Sequence, residues 1–344
     1  MNPDSHIDPG FPLCELHRHL DGSVRLETLL DLADRHGIDL PGDSVASLRP
    51  HVQVIDPADG LMAFIAKFQW LTAVLVDTDA CRRVARENVH DAAHEGIDYI
   101  ELRFSPWFMA ETHGLQPQAV VEAVIDGVRA GADETGVDAR VIGILSRTYG
   151  VETCHRELDA LLACADGLTA VDLAGDEKGF PARLFREHFD RVRDAGLHVT
   201  IHAGEADGPD SVRAAIEDLG AERIGHGILA VRDPAVVELL AMRGIGLEVC
   251  LTSNLHTSVV SDYRDHPLGD LMAHGVNACL NTDDPGISGI DLAHEYDVAA
   301  PAAGLDRSAI HRLQRQALEM AFISDDERQN LRARAAADDT SHAS

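Results

Sequence analysis

Positive charge is scarce in this chain of 344 residues: 29 Lys and Arg stand against 58 Asp and Glu, a formal charge of -29 at pH 7. Contact with a nucleic-acid backbone needs clustered cations, so nucleic acid is excluded as a partner. Lysine is nearly absent, with only Lys67 and Lys178. Long apolar runs are also missing. No stretch approaches the roughly 18 residues that span a bilayer, and no basic segment leads into an apolar one at the start. The sequence reads as soluble and unprocessed, without a membrane partner. Cysteine is sparse: Cys14, Cys81, Cys154, Cys164, Cys250 and Cys279 lie scattered in apolar segments and form no Cys-x-x-Cys pair. Neither a disulfide scaffold nor a thiolate zinc site is suggested, and a reducing cytoplasm is the natural setting. Linkers and low-complexity tracts are missing too, so one domain over 1–344 is expected, fraying over 333–344.

What is present is an alternation. Eight short apolar runs, each a candidate buried strand, alternate with longer helical patterns: Leu13 to His17, Tyr99 to Phe104, Arg140 to Leu145, Leu168 to Leu173, Leu197 to His202, Arg223 to Gly225, Ile245 to Cys250 and Val276 to Leu280. Parallel βα units produce this pattern, and eight of them predict an α/β fold of (β/α)8 barrel type. Gly96, Gly136, Gly196, Gly220 and Gly244 stand where helices should stop. The first connection, 24–98, is the longest and carries helical patterns at Arg25 to His36 and Gly60 to Leu75. These are expected to be extra helices over the C-terminal mouth of the barrel. Polar residues recur at alternate strand positions, Glu15, His17 and His19, Glu101 and Arg103, His198 and His202, which should point them into the lumen. Glu101 with Arg103 reads as a satisfied ion pair there, because buried charges need partners.

Chemistry in such barrels sits at the C-terminal ends of the strands, and every polar island of the chain falls at or just beyond one. His17 and His19 end the first strand, His202 the fifth and Asp283 the eighth. Three imidazoles and a carboxylate form an N/O donor set suited to zinc or a similar divalent ion. Alone, each histidine would be an ordinary core or surface residue, and Asp283 before Asp284-Pro285 would be turn chemistry. The ordered set outweighs those readings. Glu205, three residues beyond His202, can deliver a proton to a ring nitrogen without binding metal. His226, between two glycines, can orient or deprotonate a water, or stabilise developing negative charge. Gly175, with no side chain to block approach, can offer its backbone N–H to a ligand.

With these residues in view, the chain resembles the bacterial adenosine deaminases of the metal-dependent amidohydrolase superfamily, from about Leu13 to about Ala335. The motifs Glu-Leu-His-Arg-His-Leu-Asp-Gly, Asp-Leu-Ala-Gly-Asp-Glu, His-Ala-Gly-Glu, Ile-Gly-His-Gly, Thr-Ser-Asn and Asn-Thr-Asp-Asp-Pro stand in the family's order. The resemblance implies one Zn2+ per chain held by His17, His19, His202 and Asp283, with Glu205 as proton donor and His226 assisting the water. It further implies that Asp284 meets the purine N7 edge, that the Gly175 N–H meets N3, and that Asp21, with His19 nearby, holds the ribose 5'-hydroxyl. The implied reaction is hydrolytic deamination of adenosine and 2'-deoxyadenosine to inosine and 2'-deoxyinosine, with release of ammonia, in purine salvage. A carboxylate at the 5' end accepts a hydroxyl but repels a phosphate, which favours nucleosides over nucleotides. Relatives acting on free adenine typically carry Glu in place of this Asp. One departure stands out: Leu251 occupies a place where many relatives have proline.

Three other readings compete. A deaminase of free adenine or of a modified purine nucleoside would share the machinery and differ in the pocket. A hydrolase of cyclic amides or phosphoesters would often need a modified lysine between two metals, and neither Lys67 nor Lys178 ends a candidate strand. A non-catalytic binding protein on the same fold would be expected to have lost Glu205, His226 or a ligand.

Overall fold

Each of the eight apolar runs forms a strand, and all pair in parallel with their neighbours in chain order. The computed structural model describes residues 5–55 and 60–342. Its strands are β1 (Cys14–His19), β2 (Tyr99–Phe104), β3 (Asp138–Ser146), β4 (Ala170–Ala174), β5 (His198–Ala203), β6 (Arg223–His226), β7 (Gly246–Val249) and β8 (Ala278–Leu280). Helices follow each strand, so both faces of the sheet are covered and the strands read as apolar runs. The sheet closes where the Asp283 N–H donates to the His17 carbonyl at 3.0 Å and the His19 N–H donates to the Asp283 carbonyl at 2.7 Å, a parallel bridge between Arg18 and Asp283. The result is a (β/α)8 barrel.

The five glycines expected to end helices all adopt left-handed backbone, with φ between +67° and +80°. The long first connection holds α1 (Leu26–His36), α2 (Val45–Val52), α3 (Gly60–Ala73) and α4 (Thr78–His94). α1 is tied to α4 through Arg25–Asp91 and Thr28–Glu87, whereas α3 and the segment after α2 reach the strand ends at the mouth. Phe68 of α3 packs edge-on against Phe108, just beyond β2, at 5.8 Å between ring centroids, and the Val54 N–H donates to the Ile287 carbonyl beyond β8. α4 begins at an Asp77 cap whose side chain accepts the Ala80 N–H. Among the described residues no helix is long and apolar enough to cross a membrane.

Three expectations about side chains are corrected. A bulge between Glu15 and Arg18 breaks the alternation of β1. Glu15 therefore bonds Arg18 and Thr282, and Arg18 continues to Glu95 at the end of α4, while His17 turns to Glu248. Glu101 and Arg103 do not pair with each other. Residues two apart on a strand are separated by about 6.6 Å, so each reaches across the lumen instead, Glu101 to Arg223 and Arg103 to Asp172 at 2.8 Å and Glu248 at 2.7 Å. His198, at the entry end of β5, is exposed: it pairs with Glu222 and stacks on Phe322. Residues Asp325–His342 form a last helix. Ala333, Ala335, Ala336 and Ala337 are strong helix formers and account for it.

Candidate metal and active site

Parallel strands in a closed barrel bring their C-terminal ends into one ring, and the polar islands meet there. His17 Nε2 and His19 Nε2 each lie 3.2 Å from Asp283 Oδ1, and His19 Nε2 lies 3.3 Å from His202 Nε2. Donor atoms at about 2.0–2.1 Å from a shared zinc ion in tetrahedral array are separated by roughly 3.3 Å, so the spacing fits an ion at their centre. His17 Nε2 is buried without a hydrogen-bond partner, as expected of a lone pair reserved for a metal. Asp21, Asp283, Asp284 and Glu205 add acidic groups to the same space, a charge a divalent cation would offset.

Two of the three imidazoles, His17 and His202, are held in the state that ligation requires. His17 Nδ1 donates to Glu248 Oε2 at 2.8 Å, and His202 Nδ1 lies 2.8 Å from Asp172 Oδ2. The His17 bond places the proton on Nδ1, and the Asp172 carboxylate beside His202 Nδ1 favours the same tautomer, so that both Nε2 atoms are left free to bind metal. Burial and the Arg103 guanidinium lower His17, and burial takes His202 to about 3, so both stay neutral. Burial opposes protonation of His19 as well, but the carboxylates of Asp284, Asp283 and Asp21 outweigh it and raise His19 to about 9. Arg103 bridges the two orienting carboxylates. Glu248 also accepts Arg223 Nε and Thr200 Oγ1, so its two oxygens take four donors. Breaking one partner of such a buried cluster costs about 3–5 kcal/mol.

His226 Nε2 sits 3.6 Å from Glu205 Oε2 and 3.6 Å from Asp283 Oδ2, and the donor atoms of His17, His202, His226 and Asp283 fall within 4.8 Å of one another. A chain of hydrogen bonds distinguishes His226 from the ligands. The Leu268 N–H donates to His266 Nδ1, which puts the His266 proton on Nε2, facing Asn254 Oδ1 at 3.2 Å. The Asn254 amide therefore turns its Nδ2 to His226 Nδ1 at 3.1 Å. The proton of neutral His226 is left on Nε2, pointing at the carboxylates, where it donates and cannot ligate. Because the chain starts at a backbone N–H, it cannot invert. Asn254→Asp, of the same shape but an acceptor when ionised, is expected to draw that proton to Nδ1 and lower kcat about 100-fold with metal content unchanged. Steady-state kinetics and metal analysis of the variant check this.

Burial pushes the Glu205 carboxyl upward, Asp283 and Glu177 add to the rise, and facing His226 opposes it. Asp21 follows β1, with Oδ1 at 3.8 Å from His19 Nδ1 and Oδ2 accepting the Ser105 N–H at 3.3 Å. Asp284 is raised well above the usual range, first by burial and then by neighbouring Asp283. Its Oδ1 has no protein partner and lies against Gly22, where a Cβ would stand 1.6 Å away. Any larger residue at Gly22 would displace that carboxyl. Gly175 directly follows β4, at φ 108°.

Several working residues had escaped assignment: Glu248, Asp172, Ser253, whose Oγ donates to Asp283 Oδ2 at 2.6 Å, and Asn254. Asp172, Ser253 and Asn254 lay inside the quoted motifs; Glu248 had only its place in an apolar strand as a signal. Leu251 is also explained. Its N–H donates to Glu295 Oε2 at 2.9 Å, a bond proline cannot make.

The model of the family described as adenosine deaminase matches residues 12–337. An adenosine deaminase of Erwinia tasmaniensis is 56% identical over 331 residues, which cover 96% of this chain and 100% of that one. Among solved structures, an adenine deaminase from Arthrobacter aurescens superposes with a TM-score of 0.87 at 27% identity, covering 94% of this chain and 98% of that one. The Arabidopsis ADAL in complex with IMP superposes with a TM-score of 0.82 at 28% identity, covering 97% and 98%.

Proposed function

The chain belongs to the adenosine deaminase family, and we propose that it deaminates adenosine and 2'-deoxyadenosine with one zinc ion held by His17, His19, His202 and Asp283. Deamination of adenosine by addition of water is its activity. The convergence of three imidazole nitrogens and a carboxylate oxygen, with neighbouring pairs at 3.2–3.3 Å, supports the ligand set. His17, His19, His202 and Asp283 would hold the zinc ion, whose chemistry when bound would be to acidify water toward a pKa near 7.

The protein's own groups do the rest. Glu205 delivers a proton to purine N1 as oxygen adds to C6. C6 becomes tetrahedral, bearing hydroxyl and amine; the Glu205 carboxylate, now ionised, takes the hydroxyl proton as the C6 carbonyl of inosine forms and passes it to the amine, which leaves as ammonia. His226, with its proton on Nε2, donates to the oxygen on which negative charge develops rather than removing a proton. Asp284 meets the N7 edge, and burial beside Asp283 raises its carboxyl, the direction that favours donation to N7, which only accepts. The Gly175 N–H meets N3, and Asp21 accepts the 5'-hydroxyl. Six free cysteines agree with work in a reducing cytoplasm, in purine salvage.

The absorbance change from adenosine to inosine tests the reading directly: zinc-loaded protein without activity on any adenine nucleoside would overturn it. Because Asp21 repels a phosphate, Asp21→Asn is expected to narrow the preference for adenosine over AMP by about tenfold. The ratio of kcat/KM values on the two substrates reads this out, and an unchanged ratio removes Asp21 from specificity.

A further inference from the structure

Glu177 ends the Asp-Leu-Ala-Gly-Asp-Glu motif and takes no part in the chemistry above. It lies in the loop after β4 and is only 4% exposed. Four successive backbone N–H groups of the loop after β5 converge on its carboxylate. Gly204 donates to Oε1; Glu205 at 3.3 Å, Ala206 at 2.8 Å and Asp207 at 2.9 Å donate to Oε2. Residues 204–207 belong to no helix or strand, so these bonds take the place of a regular ladder. Consecutive amides cupped around one anion form a strong, oriented anion site, here filled by a side chain of the protein itself. The arrangement needs the left-handed backbone of Gly204, φ +70°, where a Cβ would meet Val212 Cγ2 at 2.5 Å. The Gly204 carbonyl in turn accepts the Leu229 N–H at 2.9 Å.

The second of the four gathered residues is Glu205. We infer that Glu177 is the positioning residue of the proton donor: by holding the amides of 204–207 it fixes where the Glu205 carboxyl meets the substrate ring. The inference rests on the reading of Glu205 as the group that protonates N1. Displacement of a reacting group by about 1 Å costs on the order of 100-fold in rate, and a loop without internal ladder bonds would move at least that far once its anchor is lost. Metal binding should survive, because His202 lies in β5 and is oriented by Asp172.

The test uses the zinc-loaded enzyme. Glu177→Gln keeps the shape but turns an NH2 group toward backbone donors. It is expected to lower kcat about 100-fold, to leave the KM for adenosine within about threefold, and to retain zinc. Hydrogen exchange at the amides of 204–207 should accelerate while exchange in the barrel strands stays slow. A kcat within about threefold of wild type, or unchanged exchange at 204–207, overturns the inference. If that variant does not fold, the wild type still decides: slow exchange at these four amides is expected, and exchange at the rate of an open loop overturns the assignment. Glu205→Gln separates the two ideas. It should keep the slow exchange of the loop and lose turnover; if it turns over like wild type, the proton-donor reading fails whatever Glu177 does.

Discussion

Glu205→Gln is expected to lose kcat by about 10³–10⁴-fold, at the upper end of what general acid catalysis contributes, while binding zinc as the wild type does. The glutamine amide keeps the size of the side chain but has no acidic proton for N1. Glu205 makes no bond to the four convergent donor atoms; its side chain faces His226 Nε2 at 3.6 Å. The metal set is therefore untouched by the change. Burial and the nearby Asp283 and Glu177 carboxylates raise the Glu205 carboxyl, the direction a proton donor needs. Turnover at saturating adenosine with metal content measured on the same sample decides the matter, and a variant with wild-type kcat refutes the role.

Removal of the ion is expected to have an effect at least as large. Protein stripped by a chelator should show no measurable conversion of adenosine, and one equivalent of zinc should restore it. Thermal stability should move in parallel, because a ligand that binds only the folded state adds about 4 kcal/mol when its free concentration exceeds Kd a thousandfold. In the stripped protein the acidic groups around His19 lose their counter-charge, and His19 itself is drawn toward the protonated state. An apo protein with full activity, or one whose melting midpoint ignores added zinc, would contradict the ligand assignment.

The barrel, and the convergence of His17, His19, His202, Glu205, His226 and Asp283 at its mouth, were legible in the sequence for one physical reason. A parallel barrel puts every strand end on the same rim, so chemistry-bearing residue types just beyond apolar runs announce both the fold and the site. Alternation along a strand, however, tells which face a side chain takes and not which layer or partner it meets. Glu101 and Arg103 share a strand yet pair across the lumen with Arg223, Asp172 and Glu248. The bulge of β1 leaves no mark in composition, and it alone separates Glu15 from His17. Hydrogen-bond direction is equally silent: that His226 carries its proton on Nε2 follows from Leu268, His266 and Asn254 lying in line. The same holds for backbone strain. His226 and Asp283 both adopt left-handed conformations, at φ 58° and 65°, each costing about 1–3 kcal/mol and tolerated because the surrounding structure fixes them.

The bridge between Arg18 and Asp283 gives this site a topological character. The main chain of Asp283 fastens the last strand to the first, and its side chain meets the two histidines of that first strand. No continuous segment shorter than residues 17–283 contains the whole proposed donor set, so a coordination sphere built from it would exist only after the sheet has curled through a complete turn. Capture of a metal by that set would thus report on ring closure, since an unclosed barrel does not bring its donors together.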